Sequence, residues 1–356
     1  MRELTYAQAI QEALRQSMEA DPRVVVIGEG VPDPKAIFST TAGLRDRFGP
    51  RRVFDMPLSE NGMTGICIGA ALSGMRPVMV HQRVDFSLLA MDQIVNNAAK
   101  WHYMFDGRAS VPLVVRVIVG RGWGQGPQHS QSLQALFAHV PGLKVVLPAT
   151  PYDAKGMLIS AIEDNNPVVF IEHRWLHNIT GTVPADEYRV PLGVARVVHE
   201  GTDITVAAFS YMLMEALQVA HVLAQHGISV EVIDMRSARP LDVESVANSL
   251  RKTGLLLVLD TAWTSGSISG ELIACVVAAE FAALRKAPQR IASPDHPVPT
   301  SHHMADGYYP DAVRVFEGIM TLTEIELPPP DRNEVLAALC HVGPRDVPGV
   351  KFAGSF

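Results

Sequence analysis

The stretch Pro57-Leu58-Ser59-Glu60-Asn61-Gly62-Met63 joins a short strand-like run at 52–56 to small apolar residues at 62–72 that read as a helix. Glu60 therefore sits in the first turn of an apolar helix and not on a solvated face. A fold places an acid there when its chemistry needs an unusual pKa. A plainer reading is open too, since a glutamate in a first turn complements the helix dipole. The neighbouring segments decide what kind of fold holds this junction.

Compact runs rich in valine and isoleucine recur at 24–28, 77–80, 113–119, 144–147 and 168–172, as expected of strands buried on both faces. Helical patterns alternate with them at 5–20, 62–73, 88–105, 132–139 and 152–164. Such alternation predicts a mainly parallel sheet covered by helices. Residues 180–191, with Gly181, Pro184 and Pro191, read as a linker. Alternation resumes with strands at 204–208, 229–234 and 255–260, helices at 212–226, 243–250 and 269–285, and a last helix at 333–339. The expected fold class is α/β with two domains, at 1–185 and 195–345, each a mainly parallel sheet flanked by helices.

Bulk composition narrows the function. The chain has 356 residues, 47% hydrophobic and 19% charged, which is enough for sizeable cores and too ordered a mixture for a disordered chain. A net charge of -7 with no face-sized Lys/Arg cluster argues against a nucleic-acid groove. Cys67, Cys275 and Cys340 are far apart, without disulfide or zinc spacing, as in a reducing compartment. The opening residues pass straight into an amphipathic helix with no signal-peptide core, and no apolar run is long enough to span a bilayer. A cytoplasmic protein without membrane or nucleic-acid partners is expected.

Several constellations carry candidate chemistry. Glycine occupies every second position from Gly120 to Gly126, in a loop after a buried strand, where α/β proteins bind ligands. Glycines let backbone approach a ligand, and Arg121 can meet an anion; a mobile surface loop is the equal alternative. His129 precedes Ser130-Gln131-Ser132 at a helix start, placed for proton transfer or simply for a loop hydrogen bond. Phe86 reads by default as a core aromatic. His173 and His177 lack a third metal ligand, and Ile268 breaks any nucleophile elbow between Gly266 and Gly270.

Taken together, the motifs resemble one family. They are Leu58-Ser59-Glu60-Asn61-Gly62, Ala90-Met91-Asp92-Gln93-Ile94-Val95-Asn96, Gln128-His129-Ser130-Gln131, Pro141-Gly142-Leu143-Lys144, Asp153-Ala154-Lys155-Gly156, Asp164-Asn165-Asn166-Pro167 and Asp234-Met235-Arg236 with Pro240-Leu241-Asp242. In that order and spacing they resemble the beta subunit of thiamine-diphosphate-dependent 2-oxo acid dehydrogenases, over nearly the whole chain. The resemblance implies a pyrimidine-binding domain and a C-terminal transketolase-type domain. It implies that Glu60 hydrogen-bonds a ring nitrogen of thiamine diphosphate, beside Leu58, and favours the imino tautomer that takes the thiazolium proton. It implies that Phe86 packs on the pyrimidine and that His129 assists acyl transfer to a lipoyl group. Positions Ala161, Asp164 and Asn166 match a structural potassium site of such subunits. No Gly-Asp-Gly occurs in the chain, so magnesium and the diphosphate are expected on a separate alpha subunit, in an alpha2-beta2 heterotetramer served by a lipoylated dihydrolipoyl acyltransferase.

The chain departs from the family pattern in places. Arg121, Trp123 and Gln125 are bulkier and more polar than usual before the family histidine, and His81-Gln82-Arg83 replaces a more apolar stretch. His173, Arg174, Trp175, His177, His302 and His303 add further polar groups. Substrate-proximal roles are expected for His81, Arg121 and Gln125, with a substrate more polar than pyruvate or an acceptor other than the usual lipoyl domain. Two other readings stand beside this one: a split transketolase-like enzyme moving a two-carbon ketol unit between sugars, and a non-catalytic scaffold for an alpha chain.

Overall fold

Runs of β-branched residues with no polar partner of their own are satisfied only inside a sheet covered on both sides, and that is where they lie. The computed structural model describes residues 2–33, 36–120, 125–305 and 307–340. The chain forms two units, one reaching Gly120 and taking in Gln128–Leu192, the other holding Gln125–Pro127 and running on from Gly193.

In the first unit, parallel strands lie in the order Lys144–Val146, Val168–His173, Val114–Val119, Arg76–His81, Val24–Gly28 and Val53–Phe54. Register places Val80 opposite Arg116, and Arg116 opposite Phe170. The chain runs from Val24–Gly28 to the strand on one side and then returns to Arg76–His81 on the other. The order therefore reverses at this pair, and ligands of open α/β sheets bind in such a crevice, beyond the carboxyl ends of the strands. Gly28 permits the close pairing, since a Cβ there would lie 2.3 Å from the Val80 carbonyl oxygen.

Two helices on one flank are tied by a buried charge. Tyr6–Ala20 starts with a capping box in which Thr5 and Gln8 satisfy each other's backbone, and Pro151–Glu163 starts on the Thr150 cap. Lys155, fully buried, donates to Glu12 Oε1 at 2.7 Å and to the carbonyls of Pro184 and Asp186 at 2.8 and 3.0 Å. The expected linker is thus partly structural. Its first residues, Thr180–Val183, form a strand antiparallel to Arg2–Thr5, because alternating burial on a short ribbon outweighs the turn-rich composition. The expected single helix at 88–105 is also broken: a 3₁₀ turn at Leu88–Ala90 leads to a π-turn at Gln93–Ala98 and then the α-helix Ala99–Met104.

The second unit pairs Gln289–Ser293, Leu256–Trp263, Ile204–Ala208 and Val230–Asp234 in parallel, with Arg196–His199 antiparallel at one edge. Helices Met212–Ala224, Val243–Thr253, Ile268–Glu280, Ala312–Thr323 and Pro329–Leu339 belong to it. Strand Gln289–Ser293 and helix Ala312–Thr323 have no counterpart in the sequence reading, which left 286–332 unassigned.

Lys155→Ala leaves the Glu12 carboxylate without its buried partner and strips the Pro184 and Asp186 carbonyls of a donor. The expected loss is about 3 kcal/mol or more, read as a lower urea midpoint at unchanged slope.

Candidate active site

Three acids gather at the carboxyl ends of Val24–Gly28 and Val53–Phe54. Glu29 follows the first of these strands, Asp55 follows the second, and Glu60 opens the helix Glu60–Leu72. Asp55 Oδ1 accepts from the backbone of Gly30 at 3.0 Å and of Met56 at 2.9 Å. Glu60 is 8% exposed and lies near enough to Glu29 for the two carboxyl charges to interact. Burial, then the charges of Glu60 and Asp55, push the Glu29 carboxyl above its ordinary range. Sequence reasoning missed Glu29, although an acid directly after a buried parallel strand was the available signal.

A short turn carries the aromatic wall. Val84–Ser87 follows strand Arg76–His81, and its backbone bond from Phe86 to the Arg83 carbonyl is 3.2 Å. Gln131 Nε2 donates to Asp85 Oδ1 at 2.6 Å, fixing the segment that bears His129 against this turn. Phe86 and His129 consequently meet edge to face, with centroids 5.3 Å apart at 87°. Both are partly exposed, so the ring of Phe86 is not the core aromatic that its apolar character alone predicts.

Beneath the site the sheet carries one buried ion pair. Arg116 Nε donates to Glu172 Oε1 at 2.7 Å, and Arg116 Nη2 reaches Thr40 Oγ1 at 3.0 Å. Burial acts to raise the Glu172 carboxyl, but Arg116 and His177 outweigh it and hold the group below its usual range. His177 Nε2 lies 3.1 Å from Glu172 Oε2, so this histidine has a structural partner.

The remaining expected residues are dispersed. His81 ends its strand at 2% exposure, and burial lowers its imidazole to about 4. Leu58, just ahead of Glu60, is 83% exposed. Gln125 is exposed and belongs to the second unit. Arg121, with Trp123, lies outside the described residues. Ala161 is buried within helix Pro151–Glu163. At that helix's end Arg76 Nη1 donates to the carbonyls of Ile162 and Asp164 at 2.9 and 3.0 Å, and Lys144 pairs with the Asp164 carboxylate. The Asn166 amide donates to Asp164 Oδ1 at 2.9 Å. Oxygens of the kind a hard cation takes are present, and two tethered cations already share them. Among the described residues, no helix is long and apolar enough to cross a membrane.

Residues 2–179 match the family "Transketolase, pyrimidine binding domain" and residues 193–315 match "Transketolase, C-terminal domain". The chain belongs to the family of 2-oxo acid dehydrogenase E1 beta subunits. It is 41% identical over 324 residues to the acetoin:2,6-dichlorophenolindophenol oxidoreductase subunit beta of Cupriavidus necator, covering 88% of this chain and 96% of that one. It is 43% identical over 298 residues to the 2-oxoisovalerate dehydrogenase subunit beta of Bacillus subtilis, covering 83% and 91%. It is 42% identical over 302 residues to the mitochondrial pyruvate dehydrogenase E1 component subunit beta-2 of Oryza sativa, covering 84% and 80%. A solved structure described as a split gene transketolase, inactive beta4 tetramer, shares the fold with a TM-score of 0.73 over 91% of this chain and 99% of that one, at 21% identity. The expected two-domain α/β architecture is the one this E1 beta subunit adopts.

Burial holds His81 neutral in the fold, whereas an unfolded chain binds its proton below 6.5. Its stabilising share is therefore complete above pH 6.5 and is lost as pH falls toward about 4. By pH 4 the loss from this one group approaches about 3 kcal/mol. His81→Gln is expected to flatten thermal-unfolding midpoints measured across that window.

Proposed function

We propose that this E1 beta subunit supplies the pyrimidine half of a thiamine-diphosphate site and decarboxylates a 2-oxo acid only together with an alpha subunit. The observation that carries the reading is the nearness of Glu60 to Glu29 at the strand-order reversal, with the partly exposed Phe86 on the turn after the neighbouring strand. When bound, thiamine diphosphate supplies a carbanion and an electron sink. The chain's own residues do the rest. Glu60, beside Glu29, donates to the ring nitrogen. Phe86 gives the ring a flat apolar wall, and the exposed Leu58 side chain adds apolar surface at the same helix start. His129, held against Phe86 through the Asp85–Gln131 bond, carries a proton for transfer of the acyl group to a lipoyl carrier.

An alpha partner is supported by two features. The sequence has no Gly-Asp-Gly to hold magnesium and diphosphate, and the helix Glu60–Leu72 leaves Gly62, Ile66, Gly69 and Leu72 exposed, with Ile66 at 60%. An apolar stripe of that kind is covered in an assembly, for which alpha2-beta2 is the proposed form. A lipoylated dihydrolipoyl acyltransferase is the proposed acceptor and the cytoplasm the proposed compartment. Structural potassium at the 161–166 turn would have to share oxygens that Arg76 and Lys144 already serve.

Glu60→Gln in a co-expressed alpha-beta complex is expected to lower 2-oxo acid decarboxylation, followed with an artificial electron acceptor, at least a hundredfold while assembly and cofactor binding persist. Undiminished turnover in that variant would sink the reading. His129→Gln is expected to reduce acylation of lipoamide more than turnover with the artificial acceptor, and equal losses would remove the acyl-transfer role.

A further inference from the structure

Beyond the acids and Phe86, the strand ends of the first unit carry cations with no part in the proposed decarboxylation. Arg83 is 3% exposed and donates Nη1 to the Gly120 carbonyl at 2.7 Å. Its guanidinium lies 5.5 Å from the centroid of Phe38, and that of Arg174 lies 4.2 Å from the same ring. Arg174 is half-buried, whereas Arg83 is not open to solvent on its own. Burial and then the Arg174 charge lower the Arg83 guanidinium to about 10, against a smaller opposing effect of Asp85, whose Oδ1 is already bound by Gln131.

Histidines line the same strand ends. His81 pairs across with Val117, and Val119 with His173, so His81 and His173 project from one face of the sheet. His81 Nε2 has no hydrogen-bond partner among the described residues. The His173 ring fills the place of a side chain at Gly120, where a Cβ would lie 2.5 Å from His173 Nε2. The backbone that presents Phe38 is itself unusual: Ile37, Phe38 and Ser39 all have left-handed φ, at 43°, 55° and 69°. Three such non-glycine residues in succession are costly, and strain of this kind collects at ligand sites.

Two guanidiniums drawn onto one ring and out of water repel each other. The aromatic face offsets part of that. A carboxylate or phosphate offsets more, because it accepts charge-assisted bonds from both forks at once. The location is also telling, since the Arg83 carbonyl accepts from the Phe86 amide, so the cations lie one short turn from the aromatic of the cofactor half-site.

We propose that Arg83 and Arg174, backed by Phe38, form a subsite for an anionic group at the far end of the substrate. The compound decarboxylated is then a 2-oxo acid carrying a second negative charge. This deepens the decarboxylase reading and rests on it for the reaction, while the subsite itself requires only an anionic ligand.

The test uses the co-expressed alpha-beta complex with thiamine diphosphate and magnesium. The expected kcat/KM for 2-oxoglutarate exceeds that for pyruvate at least tenfold. Arg174→Met cuts that ratio tenfold or more, and Arg174→Lys recovers much of it. A preference for pyruvate or 2-oxoisovalerate, or equal losses on both classes in Arg174→Met, overturns the proposal. Calorimetric titration of the same complex with succinate, inorganic phosphate and acetate separates the two readings. If no 2-oxo acid turns over, yet succinate or phosphate binds and Arg174→Met weakens it tenfold, the decarboxylase reading falls and the anion subsite stands. Turnover of xylulose 5-phosphate would then identify phosphate as the anion. Binding of succinate and phosphate no tighter than acetate, or unmoved by Arg174→Met and Arg83→Lys, overturns the subsite whatever the activity.

Discussion

A parallel sheet covered on both faces has no room for unpaired polar groups along its length, so its chemistry is forced to the strand ends. That constraint organises the first unit. Glu29, Asp55, Gln82, Gly120 and Arg174 each follow directly on a strand, and Glu60 and Arg83 lie a few residues further on. The pair Arg116 and Glu172 lies within the strands themselves, fully buried. It is tolerable because Glu172 meets both Arg116 and His177, and because Thr40 takes another guanidinium hydrogen. The ion pair keeps the central strands in one register, and register in turn sets which residues meet at the ends.

The strand-order reversal separates two electrostatic neighbourhoods along one edge. Around Val24–Gly28 and Val53–Phe54 the side chains are acidic, with Glu29 protonating readily. Past Arg76–His81 lie the cations Arg83 and Arg174 and the neutral imidazoles of His173 and His81, which burial lowers to about 3 and about 4, with Asp85 as the acid among them. Gln82 bridges the two neighbourhoods by donating to the Glu29 carbonyl at 3.0 Å. A cofactor ring that needs a proton and a substrate that brings negative charge are thus served by different strands of the same sheet.

Much of this was legible before any coordinates. Runs such as 24–28 and 204–208 are so dense in β-branched and small apolar residues that their strands matched to the residue. Glu60, Phe86 and His129 stood out through their motifs, and all three lie at strand ends or on turns of the first unit. What failed to show depends on long-range packing. The strand at 289–293 is half-exposed and carries Arg290, so it lacks the apolar run that marked the others. The break in the helix at 88–105 carries no glycine or proline that would have marked it. Arg83 and Arg174 are ninety-one positions apart in sequence, and only the pairing of three strands and the odd backbone at Phe38 bring them onto one ring. The nearness of Glu29 to Glu60 likewise follows from strand order and from no local pattern.

The ribbon between Arg2–Thr5 and Thr180–Val183 has a consequence for how the molecule is made. Arg2–Thr5 has its partner strand almost one hundred and eighty positions later in the chain. Lys155 likewise waits for the carbonyls of Pro184 and Asp186. Arg2–Thr5 belongs to a two-stranded ribbon separate from the parallel sheet of the first unit, and it stays unpaired until Val183 has emerged. During that interval the nascent chain offers a free hydrogen-bonding edge to other chains.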